Sequence, residues 1–308
     1  MRHRSSPSER RTGSRRPGLA LLGAVLALGL AACLRAAAPA EAAGAGPLKQ
    51  APDGRPLVMT FDDEFDNFRP WRNGQGVWRT VYKDGRHEDP FELRTLRGNK
   101  ELQLYVDPDM PLKVPAAAAD AAALNPFVAR GGLLEIAARP TPAALASELG
   151  GFRYVSGLIS TQPVFTQTYG YFEMRAKIPR GKGLWPAFWM LPADLSWPPE
   201  LDVMESIGDP AVYWTTAHSS TGKTPESKHA IAPDAFHTFA VAWDRNELVW
   251  FVDGREVSRQ PTPPDMHKPM YLVANLAVGG QWPGDPDAAT QFPARLIVDY
   301  VRAYRFAP

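Results

Sequence analysis

Three carboxylates stand close together in residues 200–205, where the sequence reads Glu-Leu-Asp-Val-Met-Glu. Side chains of a β-strand repeat every second residue, so Glu200 and Asp202 share one face, whereas Glu205 would point away on a regular strand. One extra residue at Val203 or Met204, a β-bulge, would return Glu205 to the face of the other two acids. The segment therefore predicts a bulged strand that carries three carboxylates on one face.

This spacing suits the cleavage of a glycosidic bond by two carboxylates. With the bulge discounted, Glu200 and Glu205 lie about four strand steps apart, roughly 13 Å between Cα atoms. Side chains that lean towards one sugar bring the carboxylates to about 5–6 Å, at which one of them attacks carbon directly. Asp202 lies between them, where like charges raise pKa values and keep a proton available. A solvated acidic strand edge would give the same pattern, so the neighbouring segments are needed to distinguish it from a catalytic site.

Short β-type runs separated by turns fill the chain from residue 57 to residue 306. Residues 171–177 alternate clearly, which places Glu173 and Arg175 on one face of a strand. An Asp-Gly pair at 253–254 is typical of a hairpin turn. Long helical periodicity is absent, and strands that follow one another without intervening helices predict an antiparallel sandwich of two sheets.

Positive charge is concentrated at the N-terminus of the chain. The formal net charge is +1, from 34 basic and 33 acidic residues. Residues 1–16 hold six arginines and one glutamate, so 28 basic and 32 acidic residues remain, a balance of about −4. Such a mildly acidic remainder lacks a basic surface for nucleic acid, and we expect a neutral partner.

The first 46 residues are typical of an export leader followed by a tether. A basic stretch precedes an apolar run at residues 19–32, which is too short to span a membrane, and small residues follow it. The arginine pair at 15–16 fits a twin-arginine leader, and Sec export fits as well. We therefore expect an exported protein, with leader and tether in residues 1–46 and one catalytic domain in residues 47–308.

Cys33 is the only cysteine and follows Leu-Ala-Ala, which resembles a bacterial lipobox. Acylation there would make Cys33 the first mature residue of a lipid-anchored protein, in the periplasm at the outer membrane. Residues 40–42 offer an ordinary cleavage site instead, which would release the protein to the periplasm or the medium. Both interpretations stand open, and a lone cysteine excludes an intrachain disulfide in either case.

The acidic strand resembles the bulged active-site strand of glycoside hydrolase family 16, which includes laminarinases, agarases and lichenases. Further segments are similar to that family's sequence blocks and follow in the same order. They cover nearly all of the chain from residue 57 to residue 306, at 63–65, 99–105, 154–157, 169–175, 183–192, 236–238, 275–280 and 298–302.

The resemblance implies an all-β fold: a concanavalin-like β-jelly-roll sandwich of two antiparallel sheets with a substrate cleft on its concave face. It implies Glu200 as the nucleophile, Glu205 as the general acid/base and Asp202 as the residue that supports both. The extra residue before Glu205 is similar to the laminarinase-type branch. Residues 166–171 and 197–200 are similar to bacterial exopolysaccharide glycanases of the succinoglycan-degrading type.

Several aromatic and polar residues match cleft positions of that family. Tryptophan faces stack on the flat C–H faces of sugars, and polar groups fix the hydroxyls. Trp185 and Trp189 lie four residues apart on one strand face, and Trp282 follows in a loop; core tryptophans are the alternative interpretation. His218 matches a family histidine beside the acid/base, or is a hydrogen-bonded structural histidine.

Two further pairs follow from the resemblance. Glu173 and Arg175 match residues that contact substrate, with a surface ion pair as the alternative. Asp299 and Glu64 match the region where family members hold a structural calcium on the convex face, and hard oxygen ligands suit that ion. A His/Cys cluster is absent from the sequence, so zinc is not expected, and the chemistry requires no cofactor.

The sequence thus predicts a secreted, monomeric, retaining endo-β-glycanase that hydrolyses β-1,3/1,4-glucan or a bacterial exopolysaccharide. Two alternatives of the same fold remain. A transglycosylase would use a sugar acceptor in place of water, which the sequence does not distinguish from hydrolysis. A non-catalytic glucan-binding protein typically lacks one or more of the acids, whereas this chain has all three.

Overall fold

The computed structural model of the protein describes residues 46–82, 91–113, 117–224 and 226–308. The predicted leader, with Cys33 and both cleavage sites, lies outside these residues. None of the helices in the described segments is long and apolar enough to cross a membrane.

The described residues are mostly β-strands joined by turns. The strands are β1 Leu57–Asp63, β2 Gln103–Tyr105, β3 Phe127–Arg130, β4 Leu133–Pro140, β5 Tyr154–Ser156, β6 Leu158–Ser160, β7 Gly170–Lys177, β8 Leu184–Pro192, β9 Glu200–Glu205, β10 Val212–Ser219, β11 Gly222–Lys223, β12 Ser227–Ala230, β13 His237–Trp243, β14 Glu247–Val252, β15 Arg255–Pro261, β16 Met270–Val278 and β17 Ala294–Phe306. The helical segments are short: α1 Ala118–Ala121 and the 3-10 turns Glu92–Arg94, Arg97–Asn99, Ala122–Leu124, Ala143–Leu145 and Pro264–Met266.

These strands form two sheets. The ten-stranded sheet has the order β15-β14-β13-β7-β17-β4-β5-β2, with β1 paired to β17 and β3 paired to β4. The seven-stranded sheet has the order β11-β10-β9-β8-β16-β6, with β12 paired to β10. The pairing is antiparallel apart from the short β2–β5 pair, which is parallel. The prediction of an all-β jelly-roll sandwich is confirmed, with this one parallel pair as the departure from it.

The apolar core lies between the sheets and follows from strand alternation. On β7, Phe172 and Met174 are fully buried in this core, and on β8 Phe188 and Met190 are buried in it too. Period-two alternation then directs the intervening side chains of each strand to the opposite face of its sheet. For the seven-stranded sheet, that opposite face carries the three acids of β9.

The predicted bulge in β9 is present. Against β8, Glu205 pairs with Ala187 and Asp202 pairs with Trp189, so three residue steps on β9 oppose two on β8. The same shift occurs against β10. Val203 and Met204 are both buried in the core, so the extra residue lies on the core side. The prediction that the bulge returns Glu205 to the face of the other acids is therefore confirmed.

A hydrogen bond from the opposite sheet supports this irregular strand. The indole Nε1 of Trp250, on β14, donates to the backbone carbonyl of Asp202 at 2.9 Å, and the bond is buried. Bulges leave ladder groups without their regular partners, and a buried carbonyl without a donor costs about 1–3 kcal/mol. Trp250 thus stabilises the strand at the point where the acids must be held.

Candidate active site

The three acids line one open cleft of about 1180 Å³. Its floor is the outer face of the seven-stranded sheet, formed by side chains of β8, β9, β10 and β16. Its walls are the loops around residues 92–101, 195–197 and 281–282. Strand alternation and the bulge together account for the convergence of Glu200, Asp202 and Glu205 on this cleft.

The surroundings of Glu205 favour its protonated form, which is the form that a proton donor needs. Its withdrawal from water raises its pKa well above the usual range, and the nearby charges of Asp202 and Glu200 raise it further. The indole Nε1 of Trp185 donates to Glu205 Oε1 at 2.9 Å, which opposes the shift only in part. A glutamic acid whose pKa is raised keeps its proton to higher pH, and it can then protonate a leaving oxygen.

Glu200 and Asp202 lie together with His218. The Nε2 atom of His218, on β10, is 3.2 Å from Asp202 Oδ2 and 3.6 Å from Glu200 Oε1. The other oxygen of Glu200, Oε2, accepts a hydrogen bond of 3.0 Å from the indole Nε1 of Trp197. Of the two interpretations of His218, the structure favours the one beside the acids, since the imidazole contacts both carboxylates.

The three tryptophans named from the sequence line the cleft in different ways. Trp185 and Trp282 meet edge to face at 5.6 Å, and Trp214 continues this aromatic wall at 5.3 Å from Trp282. Trp189 is only 7% exposed, and its Nε1 donates to Asn275 Oδ1 at 2.7 Å. Trp189 is therefore both a mostly buried tryptophan and a residue of the cleft floor, so the two interpretations of it are compatible.

Other cleft residues did not emerge from the sequence as single candidates. Tyr82, Glu101, Trp197 and Asn275 all line the cleft, and Trp214 contacts Trp282 of its wall. Tyr82 and Glu101 come from segments about a hundred residues before the acidic strand, and the sequence carries no spacing signal that would join them to it. Trp197 has such a signal, because it lies three residues before Glu200 in the segment matched to the exopolysaccharide glycanases.

Glu173 and Arg175 do not reach this cleft. Both lie on β7 in the middle of the ten-stranded sheet, where Phe172 and Met174 face the core and the alternate residues therefore face outward. Arg175 pairs there with Asp299 at 2.5 Å. The structure therefore does not bring Glu173 and Arg175 to the three acids, because alternation predicts which residues share a face but not which sheet they join.

The two acids considered for calcium are paired with arginines. Asp299 contacts Arg175, and Glu64 accepts two hydrogen bonds from Arg302, at 2.7 and 3.0 Å. A guanidinium beside each carboxylate neutralises its charge and repels a cation, and calcium requires six to eight oxygen ligands. In the described residues, the nearest charged partners of Asp299 and Glu64 are thus guanidinium groups, and calcium at this place stays a prediction.

Glu173 has an unusual environment on the outer face of the ten-stranded sheet. It is 2% exposed, and the Tyr304 hydroxyl donates to its Oε1 at 3.1 Å. Burial raises the pKa of Glu173 from 4.5 to about 7, although Arg302 lies 4.0 Å away and opposes the shift. Between pH 4.5 and about pH 7, the folded protein therefore binds a proton at Glu173 that the unfolded chain does not bind.

Glu173→Gln should change the pH dependence of stability. Because the folded-state pKa is raised, the contribution of Glu173 to stability is lost as pH rises from about 4.5 through 7, by on the order of 3 kcal/mol. Urea unfolding gives the free energy of unfolding of both proteins at pH 5 and pH 8. The value for the variant minus that for the wild type should be larger at pH 8 by about that amount. An equal stability difference at both values would mean that Glu173 titrates normally.

Paired carboxylates beneath tryptophan side chains, in an open cleft of a jelly-roll sandwich, are the arrangement of a glycoside hydrolase. Similarity to known proteins supports this class of enzyme. Residues 131–302 match the family model of glycosyl hydrolases family 16. The catalytic domain of a laminarinase from Thermotoga maritima has a similar structure, with a TM-score of 0.65 and 29% identity over 82% of this chain and 99% of that one.

Two curated relatives are more similar in sequence. The endo-1,3-1,4-beta-glycanase EglC of Rhizobium meliloti is 43% identical over 80% of this chain, and the chain spans 52% of its length. A beta-glucanase of Rhodothermus marinus is 35% identical over 68% of this chain and 76% of its own length. The chain therefore belongs to glycosyl hydrolases family 16. It spans only about half the length of the Rhizobium relative.

Proposed function

We propose that the protein is an endo-acting, retaining β-glycanase that hydrolyses β-1,3/1,4-linked glucan. The observation that carries this proposal is the convergence of Glu200 and Glu205 on one cleft through the bulge of β9. The open shape of the cleft supports internal cleavage, because a polymer can lie across it without threading an end. The names of the relatives, a 1,3-1,4-beta-glycanase and a beta-glucanase, support the substrate class.

The reaction has two displacements. In the first, a carboxylate oxygen of Glu200 attacks the anomeric carbon, and the bond to the glycosidic oxygen breaks as Glu205 gives that oxygen its proton. In the second, Glu205 takes a proton from water, the water oxygen attacks the anomeric carbon, and Glu200 leaves as a carboxylate. Two inversions restore the β configuration. The carboxylates suffice for this chemistry, which requires no cofactor.

Asp202 and His218 support the two glutamates in this scheme. The negative charge of Asp202 raises the pKa of Glu205, which favours the protonated acid before the first step. His218 contacts both Asp202 and Glu200 and holds their side chains in one arrangement. Trp185, Trp282 and the exposed edge of Trp189 would then bind the sugar rings.

Incubation with a panel of polysaccharides tests this function. Laminarin, lichenan, agar, succinoglycan and xyloglucan should be offered to the protein, with the products sized over time. We expect lichenan and laminarin to fall quickly in mean length and to yield short oligosaccharides. Rapid cleavage of succinoglycan would move the substrate class to bacterial exopolysaccharide, and products longer than the substrate would indicate transglycosylation. Binding of glucan without any change in length would contradict catalysis.

We also propose that the protein is exported and acts as a monomer. The arginine-rich, apolar and then small-residue order of residues 1–46 supports export, and a cleft built from one chain supports the monomer. Mass spectrometry of the native protein should show an N-terminus at residue 33 or close to residue 42. A lipid-sized mass increment that Cys33→Ser abolishes would identify the anchored form. An intact Met1 on a cytoplasmic protein would overturn export, and light scattering checks the monomer.

A further inference from the structure

Each of the two paired glutamates accepts a hydrogen bond from an indole of its own. Trp185 donates to Glu205 at 2.9 Å, and Trp197 donates to Glu200 at 3.0 Å. The two indoles differ in exposure, since Trp185 is half-buried on the floor of the cleft whereas Trp197 is 66% exposed at its wall. A single exposed tryptophan is not unusual on a surface. Trp197 differs from an ordinary exposed tryptophan because its indole N–H donates to a carboxylate of the cleft.

The loop that carries Trp197 is held by several polar contacts. Asp194 Oδ1 accepts hydrogen bonds from the backbone N–H and the hydroxyl of Ser196, at 3.0 and 2.7 Å. The ammonium of Lys268, on the neighbouring segment, donates to Asp194 Oδ2 at 2.9 Å and to Ser196 Oγ at 3.2 Å. These bonds fix the backbone directly before Trp197, so its exposed side chain is presented from an ordered loop.

Besides the indole of Trp197, several titratable groups lie near Glu200. Asp202 and Glu205 lie on the same strand, and His218 lies on the neighbouring strand. The phenols of Tyr82 and Tyr271, which line the same cleft, interact electrostatically with Glu200. Among these neighbours, the ionised carboxylates oppose a negative charge on Glu200, whereas the imidazole of His218 lies 3.6 Å from it and can donate to it.

We propose that Trp197 is a positioning residue for Glu200 and that its exposed ring face is a platform for a sugar bound beside that carboxylate. The proposal rests on the proposed function and assigns a role within it. By holding Oε2, the indole N–H fixes the orientation of the Glu200 carboxylate in the cleft, with Oε1 on the side of His218. The same bond favours the ionised, nucleophilic form of the carboxylate. The ring of Trp197 lies 6.5 Å from the imidazole of His218, and its 66% exposed surface is offered to the C–H face of a sugar.

Two substitutions separate the two parts of this role. Trp197→Phe keeps an aromatic face but removes the donor, and Trp197→Ala removes both. With lichenan as substrate, Trp197→Phe should lower kcat/KM about tenfold or more, the effect of losing a hydrogen bond to a charged group. The acidic limb of its pH profile should move to higher pH, because Glu200 loses a donor to its charged form. Trp197→Ala should in addition raise KM about three- to tenfold.

Two matched variants show that these effects are specific. Trp185→Phe removes the corresponding donor from Glu205, so the basic limb should move to higher pH while the acidic limb stays. Val164→Ala truncates a side chain that is 44% exposed outside the cleft and should leave all parameters unchanged. Thermal unfolding of each variant identifies any loss of fold, and Trp197→Phe, which keeps the ring, decides the case if Trp197→Ala unfolds.

The outcomes separate this inference from the proposed function. A wild-type protein inactive on every polymer of the panel would overturn the proposed function. An active wild type with an unmoved acidic limb and unchanged kcat/KM in Trp197→Phe would overturn the positioning role alone. An unchanged KM in Trp197→Ala, with the fold intact, would overturn the platform.

Discussion

Glu200→Gln and Glu205→Gln should each lower turnover on lichenan by several orders of magnitude while the fold survives. General acid–base catalysis contributes about 10²–10⁴-fold, which sets the expected loss at Glu205. Loss of the nucleophile at Glu200 should cost at least as much, because the covalent route is then closed. Glutamine has nearly the same shape as glutamate, so the hydrogen bonds from Trp197 and Trp185 can persist.

Azide then distinguishes the two roles. In Glu200→Ala, azide can enter from the face that the nucleophile vacated and attack the anomeric carbon of an aryl β-oligosaccharide directly, which gives an α-glycosyl azide. In Glu205→Ala, Glu200 still forms the glycosyl ester, and azide attacks that ester from the opposite face, which gives a β-glycosyl azide. The configuration of the product thus assigns the nucleophile independently of the rate.

A matched control is available in the other sheet. Glu135 lies on β4 in an ion pair with Arg295 at 2.9 Å, outside the cleft. Glu135→Gln should leave turnover unchanged, because exposed ion pairs contribute little to stability and this one contacts no cleft residue. Near-normal turnover of either cleft variant would contradict the assignment of that glutamate, and an equal loss in Glu135→Gln would point to a general defect.

The sequence predicted the acidic strand well because two local rules operate there together. Alternation fixes which side chains share a face, and the odd spacing between Glu200 and Glu205 requires one extra residue if both are to face the cleft. The buried positions of Val203 and Met204 are the other half of the same argument. Such local information is available from one segment alone.

Contacts between distant segments were not predictable in this way. The bond from Trp250 to the carbonyl of Asp202 crosses the sandwich, and no spacing along the chain indicates it. For Glu173 and Arg175, the sequence predicts the strand and the shared face. It does not predict that the strand belongs to the other sheet, with these two side chains on the outer face. The arginine partners of Asp299 and Glu64 likewise come from other strands, and no spacing along the chain indicates them.

The bulge itself can be tested by changing the number of residues between the acids. Deleting Met204 alone leaves an even spacing from Glu200 to the second glutamate, so both should still face the cleft and activity should persist in part. Deleting both Val203 and Met204 makes the spacing odd and turns that glutamate into the core, where an unpaired acid costs several kcal/mol. Activity should then be lost. Val203→Ala, which creates a cavity at constant spacing, controls for the lost core volume.

The first product released by the wild type should carry the β configuration at its new reducing end. Glu200 and Glu205 face one cleft across the bulge, and we expect their carboxylates to lie about 5–6 Å apart in the complex, too close to hold a nucleophilic water between them. Proton NMR of a fresh lichenan digest, recorded before mutarotation, measures the configuration directly. Met204 deletion should keep the same β product, since it changes the spacing without changing the face. An α product would require the wider separation of an inverting enzyme, and the double displacement through Glu200 would have to be abandoned.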